Sequence, residues 1–131
     1  MNEHHAQCPA FAAAMEVLAK PWTGLLIRVL EGGPLRFSEI GQRMGPIGDR
    51  MLSLRLRELE GRGLVRRSVV PGPPVRVEYA LTELGSGFHD VAGAVVCWGE
   101  ALLAAQAPER ASTEEADPRS TQARRSRTAT R

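Results

Sequence analysis

At 131 residues, with 17 basic against 15 acidic side chains and a formal charge of +2, the chain has room for one domain with a modest core, which a homodimer would stabilise further, and not for two. The charge is too small to identify a partner, but Lys20 is the only lysine, and arginine is the better planar reader of phosphate and guanine, a preference that a GC-rich genome also produces. No apolar run reaches the roughly 18 residues of a membrane span, and the start MNEHHAQC lacks the basic and apolar stretches of a signal peptide, so a cytoplasmic protein without a membrane partner is expected, its Cys8 and Cys97 reduced.

Residues 1–8 read as a flexible N-terminus, whose His4-His5 pair would bind a metal only if other ligands converged on it. Neither metal nor cofactor is expected. From Pro9 the pattern is helical, with Phe11, Ala14 or Met15, and Leu18 on one face and the proline suited to a first turn. Lys20-Pro21 ends that helix and begins another, Trp22 to Leu30, with Leu25, Leu26, Val29 and Leu30 as its buried material. Gly32-Gly33-Pro34 stops it. Leu35 to Phe37 allows only a brief strand, and Ser38 is expected to cap a helix over Glu39 to Met44 with Ile40 and Met44 inward.

After the turn Gly45 to Gly48, Leu52, Leu56 and Leu59 recur at i, i+4, i+7 and define the core face of the next helix. Arg50, Leu54, Arg57 and Gly61 lie about half a turn away, with Ser53 beside them. Arginine can pair bidentately with guanine and an apolar group can touch a thymine methyl, so this outer face suits a major groove. Taken alone, the same helix also reads as an ordinary amphipathic surface helix. A short helix, a Gly-containing turn and a second helix make a helix-turn-helix.

Gly61 and Gly63 end this reader helix. Leu64 to Val70 follows as a strand, Pro71 to Pro74 as a turn, and Val75, Val77, Tyr79 and Leu81 alternate with Arg76, Glu78 and Ala80 as a half-buried strand. A hairpin directly after a reader helix is a wing, and Arg66, Arg67 and Arg76 on it can reach phosphates or the minor groove, unless Arg76 merely pairs with Glu78. Thr82 is expected to cap one last helix whose stripe Leu84, Phe88, Val91, Val95, Trp98, Leu102 forms a heptad seam. Ala92, Val96 and Leu103 broaden it, so that one face packs on the domain and another needs a twofold copy through the first and last helices. Residues 107–131 lose apolar periodicity and read as a disordered polar tail after a domain over 9–106. Arginines 124, 125, 127 and 131 in that tail can add non-specific attraction to DNA.

Cys8-Pro9, Lys20 to Thr23, Gly33 to Ile40, Met51 to Val65 and Val77 to Gly85 stand in the order of the signatures of the HxlR-type bacterial transcription regulators, which the chain resembles from about Cys8 to Leu103. The resemblance implies a mainly α fold with a small β-hairpin wing, a winged helix-turn-helix dimerising through first and last helices. It implies binding to a palindromic operator in double-stranded DNA. Matching positions for DNA contact are Arg50, Ser53, Leu54 and Arg57 and the wing around Pro73 to Arg76, with Arg36 and Ser38 near phosphate; Phe11 joins the seam residues at the dimer interface. The chain departs from the usual pattern at Gly48, where a Ser cap is common, at Pro21, and in its arginine-bearing tail.

Some members of that family use the cysteine matching Cys8 to sense oxidants or electrophiles. Here Cys8 precedes Pro9 at a helix N-terminus, where the dipole stabilises thiolate. Cys97, one position off the seam, reads as a buried inert thiol, yet packing of first and last helices between subunits would bring it near the partner's Cys8 for an intersubunit disulfide. Two alternatives stay open: a small-molecule effector pocket at the dimer junction lined by Trp22, Phe88 or Trp98, and a winged helix that only binds protein. An enzyme is not expected, because Cys8 has no placed base and no phosphate loop or carboxylate pair occurs.

Overall fold

The computed structural model describes residues 8–114, with side chains to Ala107; the histidine pair and the tail arginines lie outside the described residues. The elements are α1 (Pro9–Leu18), α2 (Thr23–Leu30), β1 (Leu35–Arg36), α3 (Phe37–Met44), α4 (Asp49–Gly61), β2 (Val65–Val70), β3 (Arg76–Leu81), α5 (Glu83–Ser86) and α6 (Phe88–Glu114). Contacts divide the chain between Ala92 and Gly93. The first unit is a winged helix-turn-helix; the described part of the second is the remainder of α6.

In the first unit Leu26, Ile27 and Leu30 of α2, Ile40 and Met44 of α3, and Leu52, Leu56 and Leu59 of α4 form one core with Leu35 and Val65 of the sheet. Each helix spends its i, i+3, i+4 stripe on it. α2 begins at Thr23, so its buried stripe is Thr23, Leu26, Ile27 and Leu30, and Leu25, expected inside, is exposed. α1 buries no residue fully.

The wing is part of a three-stranded antiparallel sheet in the order β1-β3-β2. Beyond the expected hairpin, Leu35 and Arg36 pair with Tyr79 and Glu78. Because the chain passes straight from β1 into α3, the helix starts a residue before Ser38, which lies in its first turn rather than at its cap. Arg36 is the N-cap residue, and its N–H donates to the Glu39 carboxylate at 3.1 Å, meeting one orphan donor of the helix start.

Thr82 closes the base of the wing, donating its N–H to the Leu64 carbonyl at 3.0 Å and its hydroxyl to Gly63. Gly63, at φ 76° after α4, turns the chain in a conformation open mainly to glycine. Its carbonyl accepts the Thr82 hydroxyl at 2.6 Å, and the Thr82 oxygen accepts the Gly85 N–H at 3.1 Å. Thr82 therefore caps α5, and Gly87 separates α5 from α6, where the seam spacing predicts one continuous helix. Gly85 is buried with its Cα against Leu64, so close that a Cβ would overlap the Leu64 carbonyl oxygen.

α6 continues to Glu114, past the composition change at Ala107. The residues Glu83–Ala107 reach a mean hydropathy of 1.3 in their most apolar window and are long and apolar enough to cross a membrane. This corrects the expectation that no segment is: counting unbroken apolar runs overlooks a segment interrupted by the three acids Glu83, Asp90 and Glu100.

Gly85→Ala should cost about 1–3 kcal/mol in urea unfolding, since backbone rather than a movable side chain opposes the new methyl. Gly93→Ala, where nothing lies within 4 Å of the position, should be neutral or stabilising. Equal tolerance of the two changes would contradict the close approach at Leu64.

Candidate nucleic-acid interface

Burial of Leu52, Leu56 and Leu59 leaves the opposite side of α4 to solvent, and there Arg50, Leu54 and Arg57 are exposed with Ser53 half-buried. Strand register assigns the wing arginines to faces. Arg66 stands opposite Ala80, Arg76 opposite Val70 and Arg36 opposite Glu78, and alternation along each strand puts these three arginines on one face of the sheet. Leu35, Val65, Tyr79 and Leu81 take the other face, toward the core. Arg67 belongs to that second face by register and is nonetheless exposed. Ser38 is exposed in the first turn of α3.

Ion pairing separates the arginines into two groups. Arg55, Arg62 and Arg36 pair with Glu58, Glu16 and Glu39, the last at 3.9 Å. Arg50, Arg57, Arg66, Arg67 and Arg76 form no ion pair among the described residues, nor do the exposed Arg28 of α2 and Arg43 of α3, and Arg76 does not pair with Glu78. Unpaired, exposed guanidinium groups keep their donors available for phosphate and base edges.

Arg55 is the residue that periodicity overlooks. It is 7% exposed; its Nε donates to the Pro21 carbonyl and its guanidinium to Glu58 Oε2, each at 2.9 Å. Glu58 Oε1 accepts from Lys20 Nζ at 2.9 Å. Position 55 flanks the leucine arc, and an arginine there with an acid three residues on is the signal that identifies it. Lys20, then Arg55, hold the Glu58 carboxyl below its usual range by hydrogen bonding to its charged form.

Of the expected seam residues, Phe11, Leu84, Val91, Val95, Trp98 and Leu102 are exposed and Phe88 is half-buried against the core. An apolar cavity of about 380 Å³ lies between Val17 and Leu18 of α1, Ile27, Leu64, Leu84 and Phe88. Of the aromatics expected in a pocket, Phe88 lines it; Trp22 instead packs against the core, and Trp98 belongs to the second unit. Cys8 is the N-cap residue of α1 and half-buried. Cys97 is exposed rather than buried, because the surface of α6 around it is uncovered in the single chain. No cluster of histidine, cysteine or carboxylate able to hold a metal occurs among the described residues.

The profile of the HxlR-like helix-turn-helix family matches residues 17–107. The uncharacterised HTH-type transcriptional regulator YvaP of Bacillus subtilis is 42% identical over 98 residues, 75% of this chain and 90% of its own. The reduced form of the transcriptional regulator YodB from B. subtilis superposes with a TM-score of 0.68 at 42% identity, over 71% of this chain and 91% of its own; that protein is also known in diamide-treated and quinone-bound forms. The redox regulator HypR in its oxidised form gives a TM-score of 0.65 at 37% identity, covering 72% of this chain and 96% of its own.

The Glu58 environment predicts a pH dependence. Its folded value lies below the ordinary 4.5, so the stability it contributes is fully present above that ordinary value and is lost as pH falls through the depressed one. Glu58→Gln should therefore remove part of the acid slope in unfolding free energy below about pH 4.5. An unchanged acid limb would show that the clamp does not titrate with folding.

Proposed function

Because the chain belongs to the HxlR-like helix-turn-helix family and is a transcription regulator of that type, we propose that it acts in the cytoplasm as a homodimer on a palindromic operator in double-stranded DNA, under control of thiol oxidants or electrophiles through Cys8. The observation that carries the DNA reading is the sorting of arginines: Arg50 and Arg57 stand free on the outer face of α4 while Arg55 and Glu58 neutralise one another behind it. Arg76 and Arg66 supply phosphate contacts from the wing, Arg36 and Ser38 from the start of α3, and Ser53 and Leu54 touch base edges.

The dimer rests on the uncovered apolar stripe of α6 and on Phe11 of α1. A side this apolar on a soluble domain marks an interface, and a second copy supplies its mirror by twofold symmetry. Asp90 and Glu100 within α6 favour that use over insertion in a bilayer. Exposure of Cys97 and the N-cap position of Cys8 fit an intersubunit disulfide, in which two thiols surrender two protons and two electrons to the oxidant. The diamide-treated and quinone-bound forms of YodB and the oxidised form of HypR support control by thiol oxidants and electrophiles. The apolar cavity beside Phe88 favours one further reading, an uncharged small-molecule effector that would act without Cys8.

Two experiments test this. Arg57→Ala should weaken specific binding to duplex DNA by about 1–3 kcal/mol and relax the preference for one base, whereas Arg76→Ala should weaken all sequences alike and lower the salt slope by about one phosphate. Full tolerance of both changes would leave a protein-interaction module. Diamide should produce a dimer band on non-reducing gels and shift DNA affinity in the wild type, and neither in Cys8→Ser; an unchanged response in that variant would assign the chemistry to exposed Cys97 and overturn the role of Cys8.

A further inference from the structure

The connector between α1 and α2 is tied to α4 by polar contacts that the core does not require. Pro21 lacks an N–H, and Trp22 next to it is held at φ 72°, a conformation uncommon outside glycine. The Pro21 carbonyl is thereby free of helix hydrogen bonding and receives Arg55 Nε at 2.9 Å. From the same connector Lys20 reaches Glu58 at 2.9 Å, one turn along α4 from Arg55. Leucine packing holds a helix near a core but tolerates small rotations and slides, whereas directional bonds to two positions on one side of a helix do not. Arg55 lies two residues from Arg57, about 200° around the helix, so the bonds that fix the one fix where the other points.

We propose that Lys20, Arg55 and Glu58 are positioning residues for DNA binding, a clamp that sets the roll of α4 so that Arg50, Leu54 and Arg57 face outward together. The clamp also holds back an acid that would otherwise stand unpaired on the reader helix. The inference rests on the DNA-binding reading and adds residues that touch no DNA to the determinants of affinity.

The test uses the full chain and a duplex that the wild type selects from a random pool. Lys20→Met, at a side chain 43% exposed, should fold as the wild type does, keep its melting temperature within a few degrees, and bind that duplex about tenfold more weakly, as residues coupled to a site without contacting it do. The slope of affinity against salt should not change, and Lys20→Arg should restore binding. Glu58→Gln should weaken binding as Lys20→Met does and lower stability besides, because Arg55 then loses its charged partner. Unchanged affinity would overturn the proposal; so would a slope lowered by about one phosphate, which would make Lys20 a direct contact. Amide hydrogen exchange read without DNA separates this from the function itself. Exchange in residues 53–60 should quicken in Lys20→Met, and unchanged protection there would overturn the clamp even if the wild type selected no duplex.

Discussion

A helix with one face open to solvent is held by the opposite side. In α4 that side consists of Leu52, Leu56 and Leu59, each almost wholly removed from water, and the burial of such side chains is worth roughly 1.5–3 kcal/mol apiece. The apolar contact keeps the helix in place, and the polar ring of Pro21, Arg55, Glu58 and Lys20 gives it an orientation. A buried guanidinium is expensive unless its donors are met, and here no buried side-chain donor or acceptor lacks a partner among the described residues. The free arginines of the outer face owe their position to this arrangement behind them.

The wing follows from the end of the same helix. Gly63 turns the chain, Leu64 leads into β2, and Thr82 brings the end of β3 back to the Gly63 carbonyl. Gly85 then lets α5 rest on the Leu64 backbone. The loop from α4 to the last helix is thus closed at its base by two hydrogen bonds, from the Thr82 hydroxyl to the Gly63 carbonyl and from the Thr82 N–H to the Leu64 carbonyl, and by one backbone contact, while its tip, with Pro71 to Val75, is exposed. β1 adds a third strand that carries Arg36 to the sheet face of Arg66 and Arg76.

Much of this was legible in the residues because periodicity reports which side of an element is dry. The leucine arc of α4, the alternation of β3 and the stops at Gly32-Gly33-Pro34 and Gly63 all correspond to observed boundaries. Where sequence reasoning failed, contacts distant in the chain decided. Ser38 lost the cap because pairing of Arg36 with Glu78 moved the helix start. Arg55 escaped notice because the Pro21 carbonyl it meets is 34 positions away, and Lys20, which shares Glu58 with it, is 38 positions from that acid. Cys97 was expected to be buried, but the apolar helix around it is uncovered in a single chain. The heptad stripe is exposed in the single chain rather than an interior.

The most direct measurement is selection of binding sites by the purified, reduced protein from a pool of random duplexes at fixed salt. A twofold dimer whose reader helices enter successive major grooves should enrich an inverted repeat with half-site centres about one helical turn apart, roughly 10–10.5 base pairs. Enrichment of no sequence, with binding that simply tracks duplex concentration and vanishes with salt, would contradict the account and reduce the arginines of α4 and the wing to a general cationic surface.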